Sequence, residues 1–359
     1  MSSSKIFFFI CFIFLTLKSF SQLESQSLFN TKIKENVVCF RIPAIACATN
    51  GDIIVAVDER TKSCGDLRHE DDINIVIRRS EDNGKTWSEI KTIIDYPIGE
   101  SASDPSFIVD KITGEIFLFF NYMNLKFEKD IYYLKFVKSS DNGNTWTKPI
   151  EITNQISKPE WHNNFKFITS GEGFQTESGK LLHTLVNLEQ GLFVFASDDH
   201  GKSWYLIDTP IKPADESKII ELASDKSWLI NSRVNSSGYR YIHKSFDEGK
   251  TWTSKPDSSL IDPSCNASLV QYTYYENNNE KNVLIFSNLH SSSNRENLSL
   301  KYSLDNGKNW SKPKIIYQGQ AAYSSLCILK NGELALVFEK DNYSDIVFCS
   351  FLINFVLAE

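Results

Sequence analysis

Ser80-Glu81-Asp82-Asn83-Gly84-Lys85-Thr86-Trp87 is the first of five copies of one pattern, S-x-D-x-G-x-x-W. The others begin at Ser139 (SSDNGNTW), Ser197 (SDDHGKSW), Ser245 (SFDEGKTW) and Ser303 (SLDNGKNW), at separations of 59, 58, 48 and 58 residues. Repetition at a near-constant period marks a repeat architecture. Within each copy Asp and Asn bond readily to nearby backbone and Gly accepts a positive φ, so the octet is a tight turn. Strand-like alternation leads into the first copy, where Ile73, Ile75 and Ile77 alternate with Asn74, Val76 and Arg78. The closing tryptophan (Trp87, Trp146, Trp204, Trp252, Trp310) is large enough to pin the turn against its own sheet. Five of the seven tryptophans are used this way, which gives the boxes a structural task.

A period of roughly 56 residues holds four short strands and their turns, the content of one propeller blade. Residues 22–359 then make six such units. The expected fold is all-β: a single-domain, six-bladed β-propeller of four-stranded antiparallel blades. Five boxes suit six blades because terminal repeats are often atypical. A ring must also close, so Leu334–Phe338 and Ile346–Leu352 should complete a blade begun near the N-terminus.

Residues 1–21 carry Lys5, an apolar run from Ile6 to Leu17 and the small residues Ser19 and Ser21. This is a secretory signal layout, with an apolar run too short to span a bilayer. The expected location is the secretory pathway, ending outside the cell or in a lysosomal or endosomal lumen, with a retained anchor as the alternative. No later stretch is long and apolar enough for a stable membrane span. Cys39, Cys47, Cys64, Cys265, Cys327 and Cys349 are an even number beyond the signal, compatible with disulfides. No C-x-x-C pair or His cluster suggests a metal, and no cofactor is expected. Glycosylation sequons stand at Asn235, Asn266, Asn297, Asn309 and Asn342. Net charge is −7 with no basic run, which argues against nucleic acid and anionic membrane as partners. An anionic substrate would need locally concentrated positive charge.

Function on a propeller must be argued from polar residues outside the boxes. Arg41, between Phe40 and Ile42-Pro43 in an apolar strand, is the first that is out of place. F-R-I-P at this point, followed by the repeated boxes, resembles the exo-α-sialidases (neuraminidases), six-bladed propellers that remove terminal sialic acids. The resemblance runs over essentially the whole chain after residue 21.

The resemblance implies roles for particular residues. Arg41, Arg233 in L-I-N-S-R-V-N and Arg295 in S-N-R-E-N-L look like the three arginines that grip the sugar carboxylate. Guanidinium presents fixed donors that match a carboxylate and stays charged at any working pH. The third context departs from the family, which often has S-N-P where this chain has Ser287-Asn288-Leu289. Arg240 resembles a framework position. Tyr323 in G-Q-A-A-Y-S-S-L looks like the nucleophile, a recognised exception among glycosidases. A neutral phenol is not repelled by the substrate's carboxylate, but it needs a base. Glu216 looks like that base, with Glu221 the alternative in the same D-E-S-K-I-I-E-L segment.

Asp66, six residues after Arg60, looks like the acid/base, with Asp71 or Asp72 as substitutes. Arg60 looks like a contact to the sugar's 4-hydroxyl, Asp104 like the partner of Arg60, and Glu339 like the carboxylate that orients Arg41. The implied function is a metal-free, retaining exo-α-sialidase acting on sialylated glycoproteins, gangliosides and oligosaccharides. A trans-sialidase, with Trp161 and Tyr122 as conceivable acceptor platform, and a non-catalytic sialic-acid-binding propeller are the alternatives.

Overall fold

The structure is a computed structural model describing residues 23–358. The signal layout of residues 1–21 therefore lies outside the described residues. Among the described residues twenty-five strands run in order. A short strand β1 (Gln26–Asn30) precedes the first sheet, which is β2 (Cys39–Cys47), β3 (Ile53–Arg60), β4 (Ile73–Ser80) and β5 (Lys91–Ile94). The second sheet is β6 (Glu100–Val109), β7 (Ile116–Asn124), β8 (Tyr133–Ser139) and β9 (Ile150–Glu151). Next come β10 (Lys166–Ile168), β11 (Gly171–Glu172), β12 (Phe174–Gln175), β13 (Leu181–Asn187), β14 (Gly191–Ser197) and β15 (Tyr205–Ile211). Of these β11 joins the second sheet in parallel to β6, and the rest form the third. The fourth sheet is β16 (Ser217–Glu221), β17 (Trp228–Ser232), β18 (Tyr239–Ser245) and β19 (Thr253–Ile261).

The last sheet has seven strands. It contains β20 (Ser268–Glu276), β21 (Asn279–Leu289), β22 (Glu296–Ser303), β23 (Lys314–Ile328), β24 (Leu334–Lys340) and β25 (Asp345–Phe351), and β1 lies against β25. The 15-residue β23 pairs with β22 through its first half and with β24 through its second. The inner strands meet in a closed circuit: β2 against β6, β6 against β12, β13 against β16, β16 against β20, β20 against β23, and β23 against β2. This is an all-β, propeller-like arrangement.

The faces between neighbouring sheets are filled mainly by apolar side chains, because both faces of these strands are covered. Ala44, Ile54, Ile75, Phe107, Leu118 and Phe120 fill the wedge between the first and second sheets. Phe29, Phe40, Val55, Val57, Val337 and Phe348 fill the wedge at the seam between first and last. Each of the larger side chains among these contributes about 2 kcal/mol on burial.

The boxes are closed hydrogen-bonded units. Ser80 Oγ donates to Asp82 Oδ1 and accepts from Gly84 N, both at 2.8 Å. Asp82 accepts from Thr86 N at 2.9 Å and from Thr86 Oγ1 at 2.6 Å. The other four boxes repeat this pattern. The turns do more than the sequence suggests. A Cβ on Gly84 would stand 2.5 Å from the ring of Phe348, and one on Gly201 would stand 2.3 Å from Phe117. Both contacts are with the preceding sheet, so each box staples its sheet to the one before it.

Six cysteines yield one disulfide, Cys39–Cys64, while Cys47, Cys265, Cys327 and Cys349 remain thiols. Of the sequons, Asn266 is buried with its amide donating to Ser170 Oγ at 2.7 Å, and Asn309 is bonded into its box.

Candidate active site

Three inner strands are interrupted at the same mouth of the ring. The β2–β3 pairing shifts register between Arg41 and Ala44, β6–β7 between Ser103 and Ser106, and β23–β24 between Ala321 and Ser324. Such bulges re-aim side chains. Here they direct Arg41, Asp104 and Tyr323 to one place. Two of them need left-handed backbone: Ile42 has φ 57° and Asp104 φ 63°. For a β-branched residue like Ile42 this is strained. Glu339 holds it there, since its Oε1 accepts from Ile42 N at 2.8 Å.

Glu339, fully buried in β24, ties two functional candidates together. Its Oε1 also accepts from Arg41 Nε at 3.2 Å, and its Oε2 from Tyr323 N at 2.9 Å. Burial alone would lower the pKa of Arg41. Glu339, then Tyr343, Tyr323 and Asp66, reverse this and leave the guanidinium more firmly charged than usual. The ring of Tyr343 covers Arg41 at 4.0 Å. Its loop achieves this through three successive left-handed residues, Asp341, Asn342 and Tyr343.

Tyr323 donates its phenolic hydrogen to Glu216 Oε2 at 2.6 Å. Glu216 lies buried just before β16, and Arg233, just after β17, donates to the same oxygen and lies 3.3 Å from the phenol oxygen. Arg233 Nη2 donates to Asp215 Oδ2 at 2.8 Å. Burial, then the Glu216 carboxylate, push the Tyr323 phenol well above its usual range, while Arg233 and Arg295 pull the other way. The guanidinium of Arg295 stands 5.5 Å from the Tyr323 ring and donates to Tyr343 Oη at 3.3 Å and Ser264 O at 3.2 Å. Among the described residues Arg295 makes no ion pair within 4 Å, and Glu339 stabilises its charge from a greater distance.

Asp66 stands on the β3–β4 loop with its side chain 76% exposed. One oxygen accepts from Arg60 Nη1 at 2.9 Å and from Arg41 Nη1 at 3.2 Å. Crowding by the loop would raise its pKa, but Arg60 and then Arg41 outweigh that and hold it below the usual carboxylate range. A cavity of about 290 Å³ is lined by Asp66, Asp104, Glu216, Arg233 and Tyr323 on one side. Leu67, Tyr132, Phe165, Phe167 and Leu188 form its apolar wall.

All nine residues singled out in the sequence meet here, with one pairing corrected. The partner of Arg60 is Asp58, two residues away on the same strand face, whose Oδ2 accepts from Nη2 at 2.8 Å. Asp104 instead accepts from Asn121 at 3.0 Å, while its backbone N–H donates to Asp58. Burial, then Asp58, Glu216 and Asp66, raise the Asp104 carboxyl well above its usual range. The alternatives lie elsewhere. Glu221 accepts from Glu177 N, Asp71 pairs with Lys62, and Asp72 accepts from Thr61 Oγ1. Arg240 is fully buried, donating to Asn231 and to Cys265 O, a framework position. Trp161 is buried against Phe193, and Tyr122 donates to Glu100, so neither forms a platform at the site. The sequence did not single out Asp58, Asp215, Tyr343, Asn121 or the apolar wall. Asp58 was legible as the i−2 neighbour of Arg60 in a strand.

The chain is similar to known proteins over most of its length. A curated sialidase of Micromonospora viridifaciens is 30% identical over 334 residues, covering 85% of this chain and 50% of the relative. The chain thus spans half the length of that curated relative. Among solved structures, the Hadza microbial sialidase Hz136 superposes with TM-score 0.80 at 24% identity, covering 89% of this chain and 67% of that one. The intramolecular trans-sialidase of Ruminococcus gnavus superposes with TM-score 0.80 at 19% identity, covering 93% and 98%. The model of the BNR repeat-like domain matches residues 65–336. By that match the chain belongs to the BNR repeat-like domain family.

Proposed function

We propose that this protein is a retaining exo-α-sialidase that releases terminal sialic acids from glycoproteins, glycolipids and oligosaccharides. One observation carries it: a phenol bonded to a buried carboxylate, Tyr323 to Glu216, among the guanidiniums of Arg41, Arg233 and Arg295. The arginines bind the sugar carboxylate, with Arg295 free to meet it directly. Glu216 takes the phenolic proton as Tyr323 Oη attacks the anomeric carbon, and Asp66 protonates the departing oxygen. Asp66 then deprotonates the water that cleaves the glycosyl–tyrosine bond, so configuration is retained. Binding the anion only prepares this; distortion toward an oxocarbenium-like state lowers the barrier. Arg60 and Asp104 serve the sugar's hydroxyl side.

The same proposal includes six blades. The seven-stranded sheet divides at β23 into two four-stranded groups, which join the other four sheets. A secretory-pathway setting also belongs to it, and the Cys39–Cys64 bond suits an oxidising compartment. Release of fluorophore from a 4-methylumbelliferyl sialoside tests the activity, and proton NMR of the first-formed anomer tests retention. A sialic-acid-binding propeller without activity would release no fluorophore, and initial formation of the β-anomer would refute the tyrosyl intermediate.

A further inference from the structure

The loop bearing Asp66 leaves the end of β3 and returns at β4, and its path is tied to the strand bearing Arg41 by one covalent bond. Cys39 opens β2 two residues before Arg41, and Cys64 stands two residues before Asp66. Around that bond the approach to Asp66 is fixed by a single guanidinium. Arg60 Nη1 donates to Cys64 O at 2.9 Å, to Gly65 O at 2.7 Å and to Asp66 Oδ1 at 2.9 Å. Beyond Asp66, Leu67 is buried against Met123 and Tyr132, and Ser101 Oγ donates to Glu70 O at 2.8 Å, so the far arm of the loop is anchored by packing. Arg68 pairs with Asp130 across the mouth, but both side chains are more than two-fifths exposed, and such pairs constrain little.

We propose that Cys39 and Cys64 are positioning residues, whose disulfide holds the Asp66 carboxylate in register with Arg41 for proton delivery to the leaving oxygen. This rests on the reading of Asp66 as the acid. A shift of about 1 Å in a catalytic group can cost on the order of a hundredfold in rate. The cost should depend on the substrate. A sugar alkoxide cannot leave without the acid's proton, whereas a nitrophenolate leaves readily without it. A bond that served folding alone would not distinguish the two.

The test compares the wild-type protein with the C39S/C64S double variant on 3′-sialyllactose and on 4-nitrophenyl sialoside. The expected result is a loss of about tenfold or more in kcat/KM on sialyllactose with a change within about threefold on the nitrophenyl substrate. Proportional losses on both substrates, or none on either, would overturn the proposal. If the double variant does not fold, the folded wild type is reduced with dithiothreitol, which gives two electrons and two protons to the disulfide and closes to its own cyclic disulfide. Hydrogen exchange supplies a readout independent of activity. Faster exchange after reduction, confined to residues 61–72, is expected, and unchanged exchange there would overturn the proposal. A wild type inactive on both substrates would instead sink the sialidase reading, with the exchange result still deciding whether the bond holds the loop.

Discussion

The phenolic oxygen of Tyr323 lies 2.6 Å from Glu216 Oε2, although 107 positions separate the two residues in the chain. The pair joins β23 to the start of β16 across the mouth of the ring. Because the phenol is pushed well above its ordinary pKa, Tyr323 cannot ionise alone at neutral pH and depends on Glu216 to accept its proton. Replacing Tyr323 by Phe removes the attacking oxygen and little volume. Turnover on a 4-methylumbelliferyl sialoside should fall at least a thousandfold while the melting temperature moves little, and Glu216→Gln should cost about 10²–10⁴-fold. Near-wild-type turnover of the Phe variant would contradict the assignment.

Asp66 should change its pKa when substrate arrives. In the free protein Arg60 and Arg41 hold it low. A bound sugar carboxylate takes up Arg41, so the anionic form of Asp66 loses part of its support. The alkaline limb of kcat is therefore expected at higher pH than that of kcat/KM, since these report the complex and the free enzyme. Coincident limbs in the two profiles would count against Asp66 as the acid.

Glu339→Gln should damage both fold and site. The carboxylate accepts from three donors on two strands, and an amide presents its own N–H groups to at least one of them. Breaking a buried charged network of this kind costs about 3–5 kcal/mol. A melting-temperature drop accompanied by a raised KM is expected; a drop without a KM change would mean that Arg41 does not hold substrate.

Two buried histidines should make the protein acid-labile. His183 accepts from Thr184 N at Nδ1 and therefore carries its proton on Nε2, facing Ser106. Burial lowers His183 to about 3 and His243 to about 4, against an unfolded value near 6.5. Between those limits the unfolded chain binds more protons, so each histidine's contribution is fully present above pH 6.5 and is lost as pH falls toward its folded value. The loss at pH 5 is about 2 kcal/mol for each. Thermal melts at pH 7 and pH 5 measure it, and replacing His183 by Asn should remove about half of the difference, leaving the His243 share; an unchanged difference in that variant would refute the account.

Gly201→Ala tests the box as a staple. The new methyl meets the Phe117 ring at 2.3 Å and sits on backbone with φ 75°. Overpacking and strain together should lower stability by roughly 2–4 kcal/mol, seen as a lower denaturant midpoint. A variant as stable as wild type would mean that the box does not bear on its neighbouring sheet.

The turns were legible because their chemistry is local: Ser, Asp, Gly and Trp complete their bonds within eight residues. What each turn packs against was not, since the contact of Gly84 with Phe348 is made across the whole chain. The nine candidate residues were singled out through motif context, and Tyr323 would otherwise be one tyrosine among fourteen. Asp215, Tyr343 and the apolar wall escaped because no periodicity marks a side chain that matters only through its distant neighbours. Arg60 was paired with Asp104 by analogy, whereas the shorter route within one strand led to Asp58.

The strand β1 beside β25 fastens the first of the described strands to the last. Arg41 belongs to the first of the described sheets and Glu339 to the last, so their ion pair straddles this clasp. The stretch from Arg41 to Glu339 must all be in place before that ion pair can form. A copy lacking either sheet would keep one member of the pair without its partner, so the intact pair certifies that the circle is shut.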